Sequence, residues 1–323
     1  MIMRIVQAAA AALLLCGATG ATAADNFPAK QVHILVPYAP GGAVDILART
    51  IGQALMKTWG QQPVVDNRPG AGGVIASQVL TKAVPDGTTL ILVASGHPLN
   101  QFFYPTLPYD TFRDFTPITE VAYSPLALVV APQVEAKTLQ DLLAALRAKP
   151  DAFSYATSGN GTSAHLAGEL LKLKADVKMT MVPFRGGAPA VTAVMAGTVP
   201  VGINPLAEVL SQVEGGTLRA LAVTTAARSS VLPNVPTVAE AGVPGYEAAV
   251  WWGFLGPAAM APELVARINH DIVAALHDPD VTERLKSLGA EPVGSSSADF
   301  SAYMHAEADR WGPILKAANI HAE

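Results

Sequence analysis

The chain of 323 residues has one cysteine, Cys16, and it lies inside the leader-like start described below. Disulfides and thiol chemistry are therefore excluded from the remainder. No later stretch is long and apolar enough to cross a bilayer. Charged residues are only 15% of the total, and the formal net charge is −5. A mildly acidic surface argues against nucleic acid as a partner. Aromatic residues are also few, at 6%. There is no Gly-x-Ser-x-Gly elbow and no zinc-protease pattern, which removes the support for hydrolases of those types.

What is present begins with a leader. Arg4 supplies a positive charge, Ile5 to Leu15 form a short apolar run, and Ala21-Thr22-Ala23-Ala24 offer a cleavage site. This reads as a secretory signal peptide over residues 1–24, cut near Ala24. Lipidation at Cys16 fits less well, because Leu15 stands where such signals want a small residue. Removing those 24 residues leaves 299 and a formal charge of −6. That length suits two domains, since single cores stop growing around ~250–300 residues.

The remainder alternates β-branched runs, glycine turns and amphipathic helices, the pattern of parallel sheets covered by helices. Val32–Val36 runs through Pro37-Tyr38-Ala39-Pro40-Gly41-Gly42 into a helix with Asp45 in its first turn. Further strands are expected at 63–66, 88–94, 153–156, 178–182, 199–203 and 218–224. Helices are expected at 74–83, 138–148, 163–174, 188–196 and 262–276, around 281–288, and over 297–318. Leu99 to Thr116 reads as irregular surface structure, and Asn204-Pro205 as the stop of its strand. Two longer apolar runs, Ile118–Val130 and Val250–Leu255, read as crossings between lobes. The expected layout is lobe 1 from 25–122 and 253–323, and lobe 2 from 123–252. Open sheets place ligands beyond the carboxyl ends of their strands, so the turns should face one cleft.

The PYAPGG turn opens a helix whose first N–H groups lack partners, which suits an anion. A tight turn alone would equally explain Gly41 and Gly42. The same turn type recurs at Arg68–Gly73, Ser158–Ser163 and Arg185–Ala188, which strengthens the binding reading. Gly159-Asn160-Gly161-Thr162-Ser163-Ala164 fits the alanine variant of the dinucleotide fingerprint. The following strand lacks the acidic residue that would hold a ribose, so an anion nest is the better reading and no cofactor is expected. His165 and Glu169 stand four apart on one helix with no third ligand near, so a structural pair is expected and no metal. Trp251 and Trp252 serve equally well as cleft lining or as core.

Eight segments carry a resemblance: VPYAPGGAVDILAR, VVDNRPGAGG, PDGTTLILV, SAHLAGELL, VPFRGGAPA, LRALAVTTAARSS, LPNVPTVAEAGVPGYE and WWGFLGPA. In this order they resemble the Bug-type substrate-binding proteins of tripartite tricarboxylate transporters. The resemblance covers nearly all of the chain after the leader. It implies a type II periplasmic binding-protein fold, two α/β lobes closing on a small organic mono- or dicarboxylate, aliphatic or aromatic. It also implies that Tyr38, Ala39, Gly41, Gly42 and Ala43 hold a ligand carboxylate. Asp45, Ser95 and His97 complete that side of the expected site. On the other lobe, Ser158, Gly159, Asn160, Thr162, Ser163 and His165, with Arg185, Gly186, Gly187 and Ala188, would meet the ligand. Asn204 stands where many relatives carry an aspartate, which favours a plain carboxylate over an amino acid. The implied partners are the transporter's membrane components; the receptor itself is expected to be a monomer in the periplasm. Two other readings are an exported hydrolase using His97 or His165, and a ligand-sensing lobe that reports to a signalling protein.

Overall fold

A computed structural model describes residues 27–150, 152–184 and 186–317. The expected signal peptide lies outside the described residues, and so does Arg185.

The first lobe is built from β1 (His33–Val36), α1 (Ala43–Trp59), β2 (Val64–Asn67), α2 (Val74–Leu80) and β3 (Thr89–Ala94). β1 pairs parallel with both β2 and β3. In α1, Val44, Leu47, Ala48, Ile51 and Leu55 recur at helical spacing and are all buried. Each of the larger ones contributes about 1.5–3 kcal/mol by leaving water. The helix ends at Gly60, which turns left-handed at φ 68° and returns its N–H to the Met56 carbonyl.

After β3 the chain turns through a 3₁₀ turn, His97–Leu99, into a single helical turn, α3 (Asn100–Phe103). Leu99 to Thr116 is thus not irregular surface: Leu99, Asn100, Phe103, Tyr109, Thr111 and Phe115 are buried. Leu99 and Phe103 join the core of the second lobe, a destination the local sequence does not announce.

β4 (Phe115–Val130) then crosses between lobes without a break. The second lobe follows as α4 (Leu139–Ala148), β5 (Ser154–Thr157), α5 (Ser163–Ala175), β6 (Thr180–Pro183), α6 (Gly187–Met195), β7 (Val201–Pro205), α7 (Leu206–Glu214) and β8 (Arg219–Val223). The return crossing is β9 (Ala249–Pro257), and the tail holds α8 (Pro262–Leu276), α9 (Pro279–Ser287), β10 (Glu291–Pro292) and α10 (Ser297–Ala317). Asn204 lies inside β7 rather than after it, and α7 occupies a stretch where no helix was expected.

The main sheet runs β2-β1-β3-β9-β4-β7-β5-β6, with β8 and β10 also on β4. Phe115–Pro125 of β4 pair with β9, and Leu126–Val130 pair with β7 and β8. Thr224 bridges the changeover. Its hydroxyl accepts the Leu126 N–H at 2.8 Å, its N–H donates to the Leu126 carbonyl at 3.0 Å, and its carbonyl accepts the Ala248 N–H at 2.9 Å. The strands therefore change sheets at 125/126 and 248/249, against 122/123 and 252/253 read from the apolar runs.

Helix α10 spans both lobes. Phe300 and Met304 lie in a first-lobe core with Trp251, while Trp311 and Leu315 lie in a second-lobe core. Trp251 and Trp252 point to opposite faces of β9 and are both buried, so each is core.

Candidate functional site

β1 and β3 are parallel in the first lobe, and β5, β6 and β7 are parallel in the second. Their carboxyl ends therefore bring the glycine turns to one edge of each lobe. The edges meet: a methyl placed on Gly96 would stand 3.7 Å from the Gly161 carbonyl oxygen, and one on Gly161 would touch the Phe103 ring at 3.1 Å.

On the first lobe, Gly41 adopts φ +85°, open to glycine and strained for other residues. Ala39, Gly41 and Gly42 are exposed and Ala43 is partly buried. Gly42 caps α1 with no side-chain bond, and its carbonyl accepts the Ile46 N–H at 3.0 Å. The N–H groups of the first helical turn thus keep no intrahelical acceptor.

Asp45 is the fastener of this turn. Its carboxylate accepts the Gly41 N–H at 2.9 Å, Arg49 Nε at 3.0 Å and Asn67 Nδ2 at 3.0 Å. Asn67 also donates to the Tyr38 carbonyl at 3.1 Å, tying the turn to the end of β2. Burial works to raise the Asp45 pKa, but the bonds from Arg49, Gly41 and Asn67 outweigh it and hold the group ionised. The Tyr38 ring packs on the first-lobe core, and burial pushes its phenol up to about 12, with Tyr109 adding to the effect.

Ser95 is buried at the end of β3, with its N–H on the Trp251 carbonyl at 3.1 Å. His97 is enclosed too. Tyr109 stacks on it at 6.1 Å, Phe115 meets it edge-on at 4.9 Å, and Ser77 Oγ lies 3.4 Å from Nδ1. Nε2 has no partner. Burial pushes its pKa down to about 4, so His97 is neutral across the ordinary range. Between pH ~6.5 and ~4 the unfolded chain takes up a proton that the folded one refuses. Stability attributable to His97 is complete above that window and falls as pH drops through it. Comparing pH 7 with pH 4.5, His97→Gln should reduce the loss by about 2–3 kcal/mol in chemical denaturation. An equal loss in both proteins would contradict this.

On the second lobe the turns hold one another. Ser158 is partly buried, and its carbonyl accepts the Gly186 N–H at 3.2 Å, joining the turn after β5 to the turn after β6. The Gly159 carbonyl accepts the Thr162 hydroxyl at 2.8 Å. Thr162 caps α5, its oxygen accepting the His165 N–H at 3.4 Å. His165 is buried and accepts the Gly161 N–H on Nδ1 at 3.1 Å, which requires an unprotonated Nδ1. Burial lowers its pKa, which preserves that arrangement, and Nε2 lies 3.9 Å from Glu169. Asn160 is exposed at the tip, and Ser163 begins the helix, partly buried.

Gly186 caps α6 at φ +114°, Gly187 opens that helix, and Ala188 is exposed beside it. Asn204 is fully buried in β7; its Nδ2 donates to Glu208 Oε2 at 3.3 Å, and its Oδ1 has no partner among the described residues. Glu208 went unread in the sequence because its helix did. The spacing of Leu206, Val209, Leu210 and Val213 is the signal that carries it.

The arrangement offers unpaired helix-end amides on one jaw, and hydroxyls, amides and one carboxyl on the other. Among the described residues, no group of three or more His, Cys, Asp or Glu could hold a metal ion. Two concavities lie elsewhere, one of about 580 Å³ beside α4 and one of about 510 Å³ behind the crossing strands.

Residues 47–320 match the Tripartite tricarboxylate transporter family receptor. The chain belongs to this family. The receptor is 38% identical over 320 residues to a UPF0065 protein from the tcbD-tcbE intergenic region of Pseudomonas sp. (strain P51), covering 99% of this chain and 95% of that one. It is 34% identical to BugT of Bordetella pertussis, covering 93% of each. The structure of R. palustris Rpa4515 with adipate is 37% identical at a TM-score of 0.86, covering 92% of this receptor and all of that chain. MatC (Rpa3494) of Rhodopseudomonas palustris with bound malate is 31% identical at a TM-score of 0.81, covering 90% and 100%. The receptor's two α/β lobes are thus those of the type II periplasmic binding proteins, as the Bug-type resemblance implied.

Proposed function

We propose that this receptor captures a small organic mono- or dicarboxylate between its lobes and delivers it to the membrane components of a tripartite tricarboxylate transporter. The observation that carries the reading is the opposition of the two sets of turns. The turn after β3 meets the linked turns of the second lobe at Gly96 and Gly161, across a gap a single methyl would nearly fill, and the open amides of α1 lie on the same lobe as Gly96. Helix N-termini hold anions through such amides. Adipate and malate in the two related structures are both small carboxylates. The lobes divide where β4 and β9 change sheets, at 125/126 and 248/249, and close about these strand crossings when ligand binds. The ligand-binding set is drawn from the residues named from the sequence, with Asp45 and His165 shaping their turns and His97 enclosed behind its aromatic rings.

The receptor acts as a binder and not as an enzyme. In support, His97 is walled in by aromatic rings, and His165 is buried with its Nδ1 taken by the Gly161 N–H. It works as a monomer in the periplasm, after removal of residues 1–24.

Thermal denaturation with a panel of organic acids tests the reading. At least one carboxylate should stabilise the protein, by about 2.7 kcal/mol at a hundred times its Kd. Stabilisation by uncharged sugars or metal ions alone would overturn it.

A further inference from the structure

The fold sets the carboxyl group of Glu208 against a second-lobe turn. It sits in the first turn of α7, directly beyond the carboxyl end of β7. Its carboxyl lies so close to the α-carbon of Gly187 that a methyl there would overlap it. Gly187 is the first residue of α6, beside the Gly186 cap. The group therefore stands at the N-terminal ends of two helices, positions that favour negative charge. Beneath it, Asn204 is fully buried, gives it one hydrogen bond through Nδ2, and keeps in Oδ1 an acceptor with no partner among the described residues. The Glu208 carboxyl thus stands at the α6 turn, one of those assigned to the ligand on the second lobe, while Asn204 Oδ1 turns back toward Gly202.

We propose that Glu208 decides which carboxylates the cleft accepts. By placing the protein's own carboxylate at the α6 turn, it selects molecules with one carboxylate and a hydrogen-bond-donating far end over dicarboxylates of equal length. This rests on the carboxylate-receptor reading above.

The selection is switched by protonation. Burial pushes Glu208 up to about 7, partly offset by the bond from Asn204. Among the described residues, the elements packed against it bring no other charge near. α6 and β7 contain no titratable residue, Leu126–Val130 of β4 are apolar, and Glu214 lies at the far end of α7. Arg185, on the turn before α6, lies outside the described residues. Below the switch Glu208 is a neutral donor that tolerates a second ligand carboxylate; above it, the charge repels one.

Isothermal titration of the full receptor decides the matter, using dicarboxylates and ω-hydroxy monocarboxylates matched in chain length, at about pH 8 and about pH 6. The wild type should favour the hydroxy acid at the higher pH, and the preference should shrink about tenfold at the lower pH. Glu208→Gln, isosteric and uncharged, should shift the ratio toward the dicarboxylate by about tenfold at pH 8 and abolish its pH dependence. If that variant does not fold, the pH dependence in the wild type decides alone. A ratio indifferent to pH and to the substitution, with both classes bound, overturns the role of Glu208 and leaves the carboxylate reading standing. Binding of neither class overturns both.

Discussion

Gly42→Asp should leave the receptor at least as stable as the wild type and unable to bind its carboxylate. Gly42 has φ −79° and ψ 169°, a conformation any residue adopts, and the nearest atom to an added Cβ is the Ala39 carbonyl oxygen at 3.7 Å. Aspartate is among the preferred N-cap residues, better than glycine by a few tenths of a kcal/mol. Here it would cap α1, which now has no side-chain cap. That gain comes from hydrogen-bonding the first-turn amides, the groups assigned to the ligand, and from putting a negative charge where the ligand's would sit. Affinity should fall more than about a hundredfold, near 3 kcal/mol, while the melting temperature without ligand holds or rises. Gly42→Ala, which adds volume without charge, should bind nearly normally. Titration and thermal denaturation of both variants check this; if Gly42→Asp binds within tenfold of wild type, the α1 amides are not the carboxylate site. The prediction is specific to Gly42, because Gly41 at φ +85° would be strained by any side chain.

Much of this jaw was legible because its causes are local. Strand, glycine turn and helix follow one another in sequence, and α8 begins and ends where its pattern does, at Pro262 and Leu276. Asp45 was visible as a first-turn acid, but its engagement by Arg49 and by Asn67 of β2 depends on a neighbour 22 positions away. That engagement makes it a fastener of the turn. Leu99 to Thr116 was misread because its prolines and aromatics suggest a surface loop, whereas Leu99 and Phe103 are buried against the other lobe. Asn204-Pro205 looked like a stop, and reading it so erased α7 and with it Glu208. The two tryptophans were undecidable in sequence because alternation puts one on each face of β9. Only the helices covering both faces make both of them core.

Gly96→Trp should hold the lobes apart and weaken ligand binding by at least about tenfold, with Gly96→Ala as its silent control. Gly96 sits at φ −71° and ψ −20°, so neither substitution strains the backbone. A methyl there would stand 3.7 Å from the Gly161 carbonyl oxygen, an ordinary contact. An indole would extend past that point into Gly161, which Phe103 already crowds from the first lobe. Nor has the turn carrying Gly161 slack to retreat, since the His165 ring takes its N–H and the Gly159 carbonyl is tied to Thr162. The displaced lobes would have to rotate about Thr224 and the crossing strands, separating the α1 amides from the second-lobe turns. Small-angle scattering with saturating ligand should show a larger radius of gyration for the tryptophan variant than for wild type, and the alanine variant should overlay the wild type. Matching scattering and affinity in all three would mean that the lobes meet elsewhere when ligand is held. The capture would then depend on the turns of one lobe, and closure would add little to affinity.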